Sequence, residues 1–541
     1  MKSKRQYGAQ RGVALITALL MTVVFLVLMG ALMAQMITEL QDVGAHSNSA
    51  KALDAAYAGV SNMVLSIEEN ASKAGKVTPV PIHYSYASPS TAKYDATVAQ
   101  TWATGNGLVY YEIQSTGTET NSGQTRSVDA IVKSFPYSYY EQFTASNSGN
   151  VFYVTGESFD GPVYNGGTMN VWYQDPATPI FNNTVQTVTQ PSWYEGAGKT
   201  SVTTNNVKWA DVIQGGSSQF QIGAQPMKLP TFQDNLTASS EAFYGNATNN
   251  GTLPKPGANS VYINGHTAMG GPAANLTSGL YIQGDVQITP CTGTCGKYSG
   301  NNEVFTLTPY GSSPIDHSYN LIVDYSAKTT TIEQTSGCVS GCSVTYPGVM
   351  SGSPSTGVGA NGAIFVNGDV KLSSGTIHGQ FAIAVPDYIT DHSHTITLVG
   401  AAPGVLYKDQ SGTSTDELGL WANDITVNSG TTTGYEFDGS ILTGYYGEDS
   451  PSGTGGGCPG TGCNDGHFSN ANWNSTIGGN FTFYGGLIQN TNGAMGVKSA
   501  GTLIHGFNRK YKYDPRLASN PPPFFPITNR YDIIAWLDKG Q

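Results

Sequence analysis

Leu280-Tyr281-Ile282-Gln283-Gly284-Asp285-Val286-Gln287-Ile288 is the stretch on which the fold of most of this chain turns. Apolar residues alternate with others on both sides of Gly284, so each half suits a short strand with one buried face. A glycine between the halves lets the chain turn a corner while both apolar faces stay inward. The pattern returns in Ile364-Phe365-Val366-Asn367-Gly368-Asp369-Val370-Lys371-Leu372, and in part in Val261-Tyr262-Ile263-Asn264-Gly265 and Ser440-Ile441-Leu442-Thr443-Gly444. One such rung cannot bury its face alone, but stacked rungs bury a continuous core, which predicts a β-solenoid. The copies are unevenly spaced, and a set of β-sandwich modules is the alternative.

Composition fits a mainly β protein. Only 11% of the 541 residues are charged and 39% are hydrophobic, with 67 glycines between β-branched and aromatic runs. An ordinary soluble domain is about 25% charged, so a highly charged disordered chain is excluded. The net charge of -12 repels polyanions on average and argues against wholesale coating by nucleic acid or acidic lipid.

At the N-terminus Lys2, Lys4, Arg5 and Arg11 precede the uncharged stretch 13–34. At about 1.5 Å per helical residue, that stretch spans the roughly 30 Å hydrocarbon core, with the basic leader held inside. A plain signal anchor would have the same pattern. Beyond it Leu53, Ala56, Tyr57, Val60, Met63, Val64 and Ile67 form one apolar stripe on a helix that leaves the membrane, with a bend expected at Gly44 or Gly59. The runs 94–99, 108–115 and 128–134 then predict a small β-meander.

The Arg11-Gly12 junction before Val13-Ala14-Leu15-Ile16-Thr17, with Ala55-Ala56-Tyr57-Ala58-Gly59-Val60, resembles the type IV pilins, in particular the PilX-like minor pilins and the large pseudopilins of type II secretion. The resemblance implies cleavage between Gly12 and Val13 by a prepilin peptidase and methylation of the new N-terminus. The fifth mature position, usually Glu, is Thr17. That absence implies a subunit at the filament tip, since a buried carboxylate that would pair with a neighbour's amine is missing. The later segments Phe159-Asp160-Gly161-Pro162-Val163-Tyr164, Phe507-Asn508-Arg509-Lys510-Tyr511-Lys512-Tyr513-Asp514-Pro515-Arg516-Leu517 and Pro521-Pro522-Pro523-Phe524-Phe525-Pro526 resemble large competence-associated pilins, in which a solenoid is inserted into the pilin sheet. The expected organisation is a leader at 1–12, a transmembrane and amphipathic helix at 13–70, an antiparallel pilin meander at 71–135, an inserted β-solenoid at 136–505 and a return to the pilin sheet at 506–541. The implied partners are other type IV pilins, the prepilin peptidase, the inner membrane before assembly and extracellular DNA taken up in natural transformation.

Six cysteines form the local pairs Cys291/Cys295, Cys338/Cys342 and Cys458/Cys463. Outside the cytoplasm such pairs are expected as disulfides, and none has the second Cys or His pair that zinc wants. His392 and His394, with Asp387 and Asp391, could share a cation, or could simply be a polar loop. The acidic loop 448–466 could bind calcium but lacks regular oxygen spacing. No nucleophile elbow, P-loop or zinc-protease motif occurs. Between residues 136 and 505 there is no Arg, and nine Lys face 25 acids, so a clamp for an acidic sugar would rest on Lys or metal. The expectation is therefore no enzyme, no cofactor and no metal. Arg509, Lys510, Lys512 and Arg516, interleaved with Phe507, Tyr511 and Tyr513, are the candidate DNA contacts. On an extended strand Arg509, Tyr511 and Tyr513 face one side while Lys510 and Lys512 face the other. The alternatives are a purely structural role for this tract, and a tip adhesin that binds surface glycans or protein through exposed Tyr, Trp and Asn.

Overall fold

The computed structural model describes residues 7–71, 82–85, 91–103, 108–146, 151–172, 179–195, 200–202, 207, 209–214, 216–230, 239–245, 256–270, 274–352, 360–385, 394–430, 433–444, 466–499 and 502–539. Two compact units emerge. One contains the N-terminal helix and most of a small sheet, and the other runs from Lys133 to Asp532 together with residues 102–110.

In the first unit a single helix, Tyr7–Ala71, changes character along its length. Its apolar side chains from Val13 to Val43 are exposed, whereas Ala52, Ala55, Ala56, Val60, Met63 and Ile67 are buried. The buried set recurs at three- and four-residue steps and lies against a five-stranded sheet. That sheet runs in the order Ile82–Ser85, Ala92–Ala103, Val109–Glu119, Thr125–Pro136, Ile527–Asp538. Gly117 permits the contact: a Cβ there would lie 1.9 Å from the Ala52 carbonyl oxygen. Gly59, one of the two glycines at which a bend is expected, gives room to the Tyr94 ring, which a Cβ would meet at 2.9 Å.

The second unit is mainly β, and its centre is a coil. Strands Leu280–Gln283, Ala363–Asn367, Gln380–Ala384, Glu417–Ala422, Tyr435–Thr443 and Ile477–Gln489 pair in parallel, each with the next. The strands that follow the first five of them, Val286–Thr292, Val370–Ser373, Thr395–Val399, Asp424–Asn428 and Phe468–Asn470, form a second parallel stack. Parallel pairing of each turn on the next is the geometry of stacked rungs; a sandwich of hairpins would pair antiparallel. Between the stacks lies an apolar interior that includes Ile282, Ile288, Ile364, Leu372, Ile383, Leu398, Leu420 and Val427.

At the corner between the stacks a carboxylate of one turn accepts the amide of the next. Asp285 Oδ1 accepts from Asp369 N at 3.0 Å, Asp369 Oδ1 from Thr395 N at 2.8 Å, and Asp424 Oδ1 from His467 N at 2.9 Å. Gly368 stacks on Gly284 so closely that a Cβ on it would lie 2.5 Å from the Gly284 carbonyl carbon.

Three expectations need correction. Val261-Tyr262-Ile263-Asn264-Gly265 is no rung, because strand Ser260–Ile263 pairs antiparallel with Leu280–Gln283 and turns back at Gly265 into His266–Thr267. The coil is interrupted by an antiparallel excursion, Val286–Thr292, Asn302–Pro309, Tyr319–Asp324, Thr329–Gln334 and Ser343–Pro347. Thr502–Lys512, expected within the return to the pilin sheet, pairs in parallel with Ile477–Gln489 and so extends the large sheet. Only Ile527–Asp538 joins the small one.

On its outer face the large sheet carries a second apolar row, Tyr262, Tyr281, Phe365, Trp421, Leu442, Ile488, Phe143 and Tyr164, covered by Met227, Leu229, Phe243 and Phe525. Full burial of each large apolar side chain is worth about 1.5–3 kcal/mol, so these covering segments are a substantial part of the fold.

Burial also leaves carboxyls without full ionic partners. It pushes Glu417 up to about 9, Glu141 to about 8 and Asp438 to about 7, and holds Glu303 well above the ordinary range. In the unfolded chain these groups release their protons near their ordinary values, so the folded state binds more protons in between. Their contribution is complete below the unfolded values and is lost as pH rises through the folded ones. Thermal midpoints should therefore fall from pH 5 to pH 9, and Glu417→Gln should flatten the fall. An unchanged slope in Glu417→Gln would assign the pH dependence elsewhere.

Candidate nucleic-acid interface

Strand Thr502–Lys512 lies on Ile477–Gln489 in the register Phe481↔Arg509, Thr482↔Lys510, Phe483↔Tyr511 and Tyr484↔Lys512. The alternation expected from the sequence is present, but the inward residues are committed to the fold. Arg509 Nε donates to Glu157 Oε1 at 2.6 Å, and its NH2 donates to the Phe152 carbonyl at 2.8 Å. Burial opposes the guanidinium charge, yet Glu157 outweighs it, and the Arg509 pKa stands above its ordinary value. Tyr511 stacks on Phe159 with ring centroids 4.8 Å apart, and burial raises its hydroxyl pKa. Tyr513 donates to the Tyr139 carbonyl at 2.9 Å. Arg516 is engaged twice by Asp514, Nε to Oδ1 at 2.9 Å and NH2 to Oδ2 at 2.7 Å, and lies over the Tyr407 ring. Phe507 is buried in the coil interior. Arg509, Tyr511, Tyr513 and Arg516 are thus engaged within the fold, and a phosphate or base would have to compete with these contacts.

The outward residues differ. Lys510 and Lys512 are exposed. Lys510 Nζ rests on the Gly156 carbonyl at 3.2 Å, and Lys512 Nζ lies 4.5 Å from the Tyr484 ring centroid. Their Cα atoms are about 6.6 Å apart along an extended strand.

Sequence reasoning missed a third amine. Lys498, on the antiparallel neighbour Gly496–Ser499, donates to the Thr155 carbonyl at 2.9 Å. Burial lowers its pKa first, and Arg509 and Lys510 add to this against an opposing pull from Glu157. The one sequence signal was its isolation, as the last lysine before the tract in a stretch without arginine.

Cys291–Cys295 and Cys338–Cys342 are disulfides, with Cα separations of 5.9 and 5.7 Å. Both lie on the antiparallel excursion and have no free thiolate for a metal. Cys458 and Cys463, the loop 448–465, and His392, Asp387 and Asp391 lie outside the described residues. His394 Nδ1 is 3.9 Å from Asp369 Oδ1. Among the described residues no group of three or more His, Cys, Asp or Glu is placed to hold a metal. Gly12 and Val13 lie within the long helix. Thr17 Oγ1 donates to the Val13 carbonyl at 2.5 Å, so its hydroxyl is satisfied within its own helix. Among the described residues one helix, within Val13–Glu69, is long and apolar enough to cross a membrane.

No family model matches the chain, and no curated protein matches it. Among solved structures it is similar to the crystal structure of the competence-associated pilin ComZ from Thermus thermophilus, at 11% identity over 91% of this chain and 97% of that chain, with a TM-score of 0.30.

The two kinds of tract residue should separate by mutation. Arg509→Ala leaves Glu157 buried without its partner and should cost about 3–5 kcal/mol in denaturant unfolding. Lys510→Gln should stay within about 0.5 kcal/mol of the wild type. Equal losses would mean that Lys510 is also part of the packing.

Proposed function

We propose that this chain is a minor pilin of a type IV pilus, cut after Gly12 by a prepilin peptidase and held in the inner membrane by its helix until assembly with other pilins. It then stands at the filament tip on the cell surface, where the coil binds extracellular DNA for uptake in natural transformation. Its work is binding and assembly, without catalysis or a cofactor.

The observation that carries this reading is the divided helix. Its first part exposes apolar side chains on all sides, as suits lipid and then neighbouring helices, while its second part buries one stripe against its own sheet. Thr17 supports a terminal position, since it has no carboxylate to offer a neighbouring subunit. Lys498, Lys510 and Lys512 support the ligand: they are amines close to one another in a chain otherwise poor in cations. They track a backbone and do not read bases, so binding should be indifferent to sequence.

A second reading, a tip adhesin for surface glycans or protein, is favoured by the outer face of the antiparallel excursion. There Thr306 pairs with Asn320 and Thr331 with Thr345, presenting neutral polar groups.

Sequencing of the protein from its host should find Val13 at the N-terminus. For the ligand, Lys510→Gln with Lys512→Gln should lower the salt slope of DNA binding by roughly 1.4–1.8 units, about 0.7–0.9 for each lost phosphate contact. An unchanged slope in a folded variant would move DNA off this strand and favour the adhesin.

A further inference from the structure

Among the described residues the small sheet ends in strand Ile527–Asp538, whose one neighbour in the sheet is Thr125–Pro136. Its outer side is, among those residues, an unpaired edge. Soluble proteins guard such edges with short strands, lysines, prolines or bulges. The opposite edge follows that rule, since Ile82–Ser85 has four residues. This edge does not, because Ile533-Ile534-Ala535-Trp536-Leu537 has no charge and no proline. Ile534 is 53% exposed, Trp536 47% and Leu537 59%. Residues 534 and 536 share one face and 537 lies on the other, so both faces keep exposed apolar surface at this end.

Two further observations define the occupant. The charges that follow the run are matched within the protein: Arg126 NH2 bonds Asp538 Oδ2 at 2.6 Å, and Lys539 Nζ bonds Asp129 Oδ2 at 2.5 Å. The run itself is neutral, which complements a neutral, apolar strand and disfavours a charged one. The Trp536 ring also meets the edge of Tyr57 on the helix at 5.1 Å. The edge thus adjoins the helix at Tyr57, which is itself exposed. From Val13 to Tyr57 the helix is about 66 Å long at 1.5 Å per residue, about twice the hydrocarbon thickness, so lipid cannot cover this end of it.

We infer that Ile533-Ile534-Ala535-Trp536-Leu537 is a docking edge that accepts an extended apolar strand from a different filament subunit. A strand is the partner that fits, because it completes the backbone ladder and its alternating side chains cover both faces. A helix laid on the sheet would cover one face and leave the edge amides open. The inference rests on the proposed role as a filament subunit, and it adds where and by what chemistry another subunit is held.

The experiment uses the full-length protein in its host, with the photo-cross-linker p-benzoylphenylalanine placed at Leu537 and, as control, at Thr345 on the antiparallel excursion. An adduct with another pilin-type chain from position 537 and none from 345 is the expected result. An adduct of twice the protein's own mass, or equal adducts from both positions, overturns it. In parallel, Ile534→Lys with Leu537→Lys places charges on the edge, and recovery of the variant in sheared filaments should fall about tenfold at an unchanged thermal midpoint. Undiminished recovery of a folded variant overturns the docking edge alone. Absence of the wild type from filaments overturns the filament role and the docking edge together. Should the variant fail to fold, the cross-link decides.

Discussion

A stack of parallel rungs leaves backbone groups at each corner outside both ladders, and a buried amide without a partner costs about as much as a lost hydrogen bond. The coil meets this constraint by having an aspartate of one turn accept the amide of the next, as Asp285 does for Asp369, Asp369 for Thr395 and Asp424 for His467. The bond is directional, since it fixes each turn against its successor as well as closing the corner. With the corners fixed, the strands on either side keep one register from turn to turn. The apolar residues of the interior then fall in line, from Leu280 to Ile364 to Ile383.

That constraint explains what was legible in the sequence. Gly-Asp-Val at 284–286 and at 368–370 is the corner motif itself, glycine for the close stacking and aspartate for the amide. Asp424 does the same work after Asn423 with no glycine beside it, so pattern alone passed over it. Val261-Tyr262-Ile263-Asn264-Gly265 has the alternation and the glycine but no aspartate, and it forms a hairpin. The candidate site was legible to the same depth. Alternation on an extended strand separated Lys510 and Lys512 from Arg509, Tyr511 and Tyr513, because side-chain period is a local property. That Arg509 is spoken for was not legible, because Glu157 lies 352 residues away and nothing local announces it.

The electrostatics of the two units differ in kind. In the small unit, ion pairs such as Arg126 with Asp538 lie near the surface, where each is worth little. In the large unit acids outnumber cations and many are buried, so the fold either pairs them, as Asp514 with Arg516, or keeps them protonated, as burial does for Glu417. Surface lysines close to one another therefore stand out against a background that would repel a polyanion. The same scarcity of cations means that a ligand held by charge has few places to bind, a restriction that does not apply to one held by neutral contacts.

The insertion of so large a unit into a small sheet is a problem of chain ends. A flexible loop of this length would leave the flanking strands of the small sheet loosely tethered, since closing a loop costs more entropy as it lengthens, though only slowly. Here the ends are tied where they enter. Thr528 Oγ1 donates to the Phe135 carbonyl at 2.9 Å, and Tyr137 N bonds the Pro526 carbonyl at 3.4 Å. A few residues further on, Gln142–Thr144 pairs in parallel with Leu487 to Gln489, so an early strand of the insert lies beside the end of one of its last. The insert is thus closed on itself before its residues can load the small sheet. Turns of the coil could be added or lost between Thr144 and Ile477 without moving either end, which makes the large unit free to vary in length while the small one keeps its geometry.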